Sequence, residues 1–265
     1  MASNGVRRKG ARLGQHFLNA EWVARDLVGA VAPREGEVIA EVGPGRGALT
    51  EKLLATGNTV VAIEKDEALG AFLAGKFADE TKNGKLHLML GDIRNGDTYD
   101  VLNGRPYVVA ANIPYYITGE IIRDFLTAKH QPRAMALLIQ KEVAERIVAR
   151  DGKESILSLS VKAYGTPKIV AKVPAGCFNP PPSVDSAIVL VGNISRKFFD
   201  EISEDLFFKA VKAGFAAKRK QLAGNLEKVF GEKGEGALRA AGVDAKVRAE
   251  DLNLDDWKRI VGNLV

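Results

Sequence analysis

Short runs of Val, Ile, Leu and Ala recur along the first two thirds of the chain, separated by longer stretches in which apolar residues return every three or four positions. Residues 38–42, 59–64, 85–89, 107–112 and 134–140 are such runs, and their apolar continuity predicts strands buried on both faces. Residues 49–55, 67–77, 120–128 and 141–149 carry helical spacing. Strands alternating with helices predict a mostly parallel sheet covered on both sides, a doubly wound α/β domain. Two further strand-like runs, 168–173 and 186–191, flank the turn Asn179-Pro180-Pro181-Pro182 and predict a hairpin at the sheet edge. After about Gly192 such runs stop, and 206–217, 221–230, 237–241 and 255–261 read as short helices. The pattern divides the chain into an α/β domain, 1–192, and a small helical domain, 193–265.

Composition narrows the classes. With 265 residues, 46% of them hydrophobic and 27% charged, the chain can bury one sizeable core. Lys and Arg number 38 against 33 Asp and Glu, a net charge of +5 that permits a polyanionic partner without demanding one. Part of the excess is a cluster of Lys209, Lys212, Lys218, Arg219 and Lys220 interleaved with Phe207, Phe208 and Phe215. Such a mix suits RNA through phosphate contacts and stacking, and equally suits a solvated helix face over core phenylalanines. Cys177 is the single cysteine, which excludes an intrachain disulfide and a cysteine-built metal site. No run approaches the roughly 18 apolar residues of a membrane span, and Arg7, Arg8, Lys9 and Arg12 are not followed by an apolar signal segment. A cytoplasmic protein, neither secreted nor anchored, is expected.

Two motifs carry chemistry. The first is Glu41-Val42-Gly43-Pro44-Gly45-Arg46-Gly47, between a strand and a helix start, where glycines let the backbone approach a cofactor. Gly43, Gly45 and Ala48 also satisfy a dinucleotide pattern, and Glu64, at the end of the next strand, would accept ribose hydroxyls from either kind of cofactor. Glu41 and Asp92 tilt the reading toward a methionine ammonium group and an adenine amine, because a pyrophosphate gains little from that much negative charge. The second motif, Asn112-Ile113-Pro114-Tyr115, ends the fourth predicted strand, at the sheet edge where ligands sit in this architecture. An adenine amine is a poor nucleophile that must be polarised, and the Asn112 side-chain oxygen and the Ile113 carbonyl offer two acceptors. Pro114 stiffens the turn, and Tyr115 offers a face for an extruded base. Phe178, before the prolines, is a candidate for the opposite face. Gly14-Gln15-His16-Phe17-Leu18 precedes a helix and is a candidate lid, while His16 has no partner pattern for metal or nucleophilic work.

Taken together these residues resemble the ribosomal RNA adenine dimethylases, which modify two adjacent adenines near the 3′ end of small-subunit rRNA. The resemblance spans roughly 12–265 and rests on Gly14 to Leu18, Glu41 to Gly45, Gly91-Asp92, Asn112 to Tyr115, Gln140-Lys141-Glu142-Val143 and Phe178 to Ala187. It implies a Rossmann-like class I methyltransferase domain followed by a small helical one. His16, Leu18, Gly43, Glu64, Asp92 and Asn112 would contact S-adenosylmethionine, and Asn112, Tyr115 and Phe178 would frame the target base, with no metal. Lys218-Arg219-Lys220-Gln221-Leu222 is similar to the family's basic motif, which favours the RNA reading of that cluster. The implied partner is small-subunit rRNA within the small ribosomal subunit, met by a monomer. Where many members carry Lys-x-Tyr-Gly-x-Leu-Ser, this chain has Lys153-Glu154-Ser155-Ile156-Leu157-Ser158. The large-subunit rRNA methylases of macrolide resistance share the Asn-Ile-Pro-Tyr turn but usually have Ser in place of Pro44, and rank second. A non-catalytic assembly factor with a dead cofactor pocket and a nicotinamide dehydrogenase are the rival classes.

Overall fold

The computed structural model describes residues 16–93, 102, 104–217 and 220–264. The chain divides into two compact units, one of residues 1–118, 136–140 and 171–188, the other of 119–135, 141–170 and 189–265.

Most of the seven-stranded sheet lies in the first unit. Strands β2 (Val38–Val42), β3 (Thr59–Glu64), β4 (Leu86–Leu90), β5 (Tyr107–Asn112), β6 (Met135–Gln140), β7 (Thr166–Val173) and β9 (Ser186–Gly192) are arranged in the order β4-β3-β2-β5-β6-β9-β7. Strand β2 runs parallel to both β3 and β5, and β3 parallel to β4. All five residues of β2 are buried, as are the first five of β5, which is why these strands read as continuous apolar runs rather than alternating ones. The chain reverses its order at β2, since β3 lies on one side and β5 on the other. Such a switch point opens a crevice at the carboxyl ends of the strands. The predicted hairpin is half right: β7 and β9 are neighbours, but β9 lies inside the sheet and only β7 forms its edge, with alternating exposure along it. A separate antiparallel pair joins β1 (Phe17–Leu18) to β8 (Phe178–Asn179). Helices α1 (Glu21–Val31), α2 (Ala48–Leu54), α3 (Glu67–Lys76) and α4 (Ala78–Lys82) complete this unit. Asp66 caps α3 by accepting from the amides of Ala68 and Leu69.

The second unit holds most of α5 (Thr118–Thr127), together with α6 (Lys141–Val148), α7 (Ile156–Lys162), α8 (Glu204–Gly214), α9 (Leu222–Phe230), α10 (Glu232–Ala240) and α11 (Leu254–Gly262). Its core gathers Phe207, Leu226, Leu238, Ile260 and the fully buried Trp257, and it includes Leu159 of α7. Gly214 lets α8 approach that indole, since a Cβ there would lie 2.5 Å from the Trp257 ring. Helix α7 has no periodic signal in the sequence. It is started by Ser155, whose hydroxyl accepts from the Ser158 amide while the Ser158 hydroxyl accepts from the Ser155 amide. The Glu154-Ser155-Ile156 departure therefore supplies a helix cap of its own.

Candidate active site

The turn after β2 is held open by backbone conformation. Gly43, Gly45 and Gly47 have φ of 69°, 58° and 80°, in the left-handed region that side chains disfavour. At Gly47 a Cβ would also meet the Phe77 ring at 2.5 Å. The Gly43 amide donates to the Ile63 carbonyl at 3.0 Å, which ties the turn to β3. At the end of β3, Glu64 accepts from the Gly45 amide at 3.1 Å through Oε2 and from the Asp66 amide at 2.9 Å through Oε1. Two backbone donors thus fix a buried carboxylate whose remaining lone pairs are acceptors.

Glu41 is held differently. Its Oε2 accepts from the Thr50 hydroxyl at 2.7 Å, but its Oε1 is buried with no hydrogen-bond partner. Burial pushes this carboxyl up to about 8, against the Thr50 hydrogen bond and with a smaller push from the Glu64 charge. A buried polar oxygen left without a partner is expensive in a folded protein, and here it lies in the wall of a cavity, where a ligand can complete its hydrogen bonding. A cationic N–H group would satisfy it and restore the charge.

The second motif sits beside the first because β5 pairs with β2, with Ala111 opposite Val42. A Cβ on Gly43 would come within 3.6 Å of the Asn112 carbonyl oxygen. The Asn112 side chain donates from Nδ2 to the His16 carbonyl at 3.4 Å, which leaves its Oδ1 as the acceptor. The Ile113 amide donates to the Leu138 carbonyl at 3.3 Å, and Pro114 has φ of −55°. The Tyr115 hydroxyl is 2.8 Å from the buried Ser186 hydroxyl, and burial raises its pKa. The His16 ring stacks on Tyr115 at 6.2 Å and 29°, while its Nδ1 donates to the Pro180 carbonyl at 2.8 Å. Leu18 pairs with Phe178 across the β1–β8 ladder, so the N-terminal strand and the proline turn brace one another.

One cavity is lined by the glycine loop, Glu41, Glu64, His16, Leu18, Asn112, Tyr115 and Phe178. Phe178 is only 3% exposed, and its neighbour in sequence Asn179 is exposed. Asp92 is not part of this wall, and its carboxylate pairs with Lys65 at 3.0 Å. Sequence reasoning gave no role to Ser186, or to Arg46, whose guanidinium lies 4.5 Å from the centre of the Phe17 ring. Gly14, Gln15, Lys218 and Arg219 lie outside the described residues. Of the phenylalanines interleaved with the basic cluster, Phe207 is fully buried and Phe215 stacks on Trp257 at 6.1 Å, so both serve the core. Among the described residues no group of three or more His, Cys, Asp and Glu could hold a metal ion.

The sequence pattern of the ribosomal RNA adenine dimethylase family matches residues 6–264. A ribosomal RNA small subunit methyltransferase A of Dehalococcoides mccartyi is 40% identical over 257 residues, covering 96% of this chain and 87% of that protein. Among solved structures, a dimethyladenosine transferase from Plasmodium falciparum superposes with a TM-score of 0.77 at 23% identity, covering 92% of this chain and 96% of the other. A 23S rRNA methyltransferase gives 0.74 at 22% identity, covering 94% and 99%. At those identities the two structures speak for the shared fold alone.

Proposed function

The chain belongs to the ribosomal RNA adenine dimethylase family, and from that premise we propose how its residues divide the work of methylating two adjacent adenosines near the 3′ end of small-subunit rRNA. It is an enzyme, an S-adenosylmethionine-dependent rRNA adenine methyltransferase. The orphaned Glu41 oxygen fits the cofactor's ammonium group, and the two-donor anchorage of Glu64 fits its ribose hydroxyls. Gly43 gives the cofactor close backbone approach, with His16 and Leu18 closing over it, while Asp92, outside the cavity wall, would reach its adenine by exchanging its pair with Lys65. When bound, S-adenosylmethionine supplies an electrophilic methyl on a sulfonium, already a good leaving group.

The chain's own residues then align and polarise. Asn112 Oδ1 and the Ile113 carbonyl accept the N–H bonds of the adenine amine, drawing its lone pair out of conjugation and toward the methyl. The new C–N bond would form as the S–C bond breaks, yielding S-adenosylhomocysteine, and the proton shed by the amine would pass to solvent water. A second round gives N6,N6-dimethyladenosine. Tyr115 and Phe178 hold the extruded base between them, and the Ser186 hydrogen bond keeps the Tyr115 ring in position. The enzyme works as a cytoplasmic monomer on the small ribosomal subunit, and residues 193–265, with Lys220 and its neighbours, contact the RNA backbone.

The observation that carries this reading is the shared cavity of the glycine loop and the Asn112 to Tyr115 turn, with the unpartnered Glu41 oxygen in its wall. Labelled S-adenosylmethionine, supplied with undermethylated small subunits and, in parallel, large subunits and naked large-subunit rRNA, tests it. Dimethyladenosine at two adjacent small-subunit adenines is expected. Label confined to large-subunit RNA would overturn the target, and cofactor binding without label would overturn the catalytic assignment.

A further inference from the structure

The second unit contains a groove of about 1260 Å³ whose lining shares no residue with the catalytic cavity. The 150–155 loop, the start of α7 and one face of α8 line it. Its apolar surface comes from Ile156, 39% exposed, and the half-buried Leu157, Phe208 and Phe215. An apolar surface inside a charged rim is the usual form of a peptide-docking groove.

The rim decides the sign of the occupant. Seven carboxylates face five cationic side chains there, in a chain whose net charge is +5. Four of the five cations already hold an ion pair: Arg123 with Asp124, Arg146 with Glu142, Arg150 with Glu145 and Lys153 with Asp251. Five of the seven carboxylates are paired as well, Glu142 and Glu145 with those arginines, Glu154 with Lys162, Glu204 with Arg196 and Glu250 with Arg248, which leaves Asp151 and Asp205. Asp205 is exposed and has no ion pair among the described residues, and Asp151 accepts only the Lys153 amide, at 3.0 Å. Glu154 pairs with Lys162 through Oε1, while its Oε2 is buried with no hydrogen-bond partner. A phosphate backbone would have to displace existing pairs and face these unmatched acceptors. Guanidinium or ammonium groups would satisfy them.

We propose that this groove docks a basic segment of a protein partner that also carries apolar side chains. Apolar side chains of the segment lie against Ile156, Phe208 and Phe215, and its Arg or Lys heads meet the exposed Asp151 and Asp205. The site is independent of the catalytic assignments above, and stands or falls separately from them.

Fluorescence anisotropy on the full chain tests it, with a labelled 14-residue Leu/Arg peptide, its Leu/Glu counterpart, and a 14-nucleotide single-stranded RNA as competitor. The Leu/Arg peptide should bind at least about tenfold more tightly than the Leu/Glu one. The double variant Asp151→Asn/Asp205→Asn should lose roughly tenfold of that affinity, the sum of two partly exposed charge pairs. Both positions are solvent-exposed, so the variant should keep its fold and its cofactor affinity. Equal binding of the two peptides, indifference to the double variant, or displacement of the peptide by the RNA would overturn the proposal.

Discussion

Carboxylates line both the catalytic cavity and the groove of the second unit, but most of those at the groove are held by other means. In the cavity, Glu41 and Glu64 are 1% and 5% exposed and are fixed by a buried hydroxyl and by backbone amides. Around the groove, Glu142 and Glu145 are held by Arg146 and Arg150, whose side chains are more than half exposed. A backbone donor does not move, so a buried acid held by one keeps a defined orientation and strong interactions with whatever enters. An exposed pair is screened, and forms and breaks at little cost. The first arrangement suits a reaction that needs fixed geometry, and the second suits a surface that must exchange one partner for another. The second unit should accordingly owe its stability to its apolar core and little to its ion pairs.

Removing that core gives the largest expected effect. Trp257→Ala empties a fully buried site in contact with Gly214 and Phe215 and should destabilise the chain by about 3–5 kcal/mol in urea denaturation. A loss under about 1 kcal/mol would mean the core is not what holds the unit together.

In the cavity, Asn112→Ala removes one of two fixed acceptors for the amine. The single-turnover rate of methyl transfer should fall by about 10²–10³-fold, the range for losing one preorganised polar group, with little change in stability. Near-normal turnover would sink the polarisation role.

Glu41→Gln separates binding from folding. Loss of the carboxylate should weaken cofactor binding by about 10–100-fold, equivalent to the roughly 1.5–3 kcal/mol of a hydrogen bond to a charged group. Stability should move the other way. Because burial raises the folded-state pKa to about 8 from 4.5, the folded chain binds the extra proton between those values. The contribution to stability is complete below about 4.5 and is lost as pH rises to about 8. Melting of the cofactor-free wild type should therefore fall relative to Glu41→Gln as pH is raised from 5 to 8. Parallel pH profiles would show that Glu41 is ionised in the free enzyme. Tyr115→Phe, which deletes the Ser186 hydrogen bond and keeps the ring, should cost about 1 kcal/mol in RNA substrate binding, read as KM with kcat unchanged.

How far the sequence reached follows from the range of each signal. Strands 38–42, 59–64 and 107–112 were readable to the residue because burial on both faces makes them apolar but for Glu41 and the terminal Thr59, Glu64 and Asn112. Helix α7 was not, because its start depends on a Ser155–Ser158 reciprocal cap rather than the more familiar Ser and Glu. The glycine loop and the Asn112 turn were readable because each is a local motif, and parallel pairing of β2 with β5 brings them together. The brace around them was not: the Tyr115–Ser186 bond spans 71 positions and the His16–Pro180 bond 164, and no periodicity encodes such pairings. The side chain of Asp92 illustrates the same limit, since Lys65, 27 positions away, competes for it.

The smallest expected effect is the sharpest check on the contrast between the two regions. Arg146 and Glu142 form a 3.0 Å pair one helical turn apart on α6, with side chains 54% and 83% exposed. Such i,i+4 pairs contribute about 0.3–0.5 kcal/mol, and less as salt screens them. Arg146→Ala should thus shift the urea midpoint by no more than this, and the shift should vanish in about 1 M salt, where the Debye length falls to about 3 Å. In a double-mutant cycle with Glu142→Ala the coupling should be equally small. A coupling above about 1.5 kcal/mol that survives high salt would mean the rim is held as firmly as the catalytic carboxylates, and the groove would then be a rigid structural feature rather than a surface able to exchange its ion pairs for those of a partner.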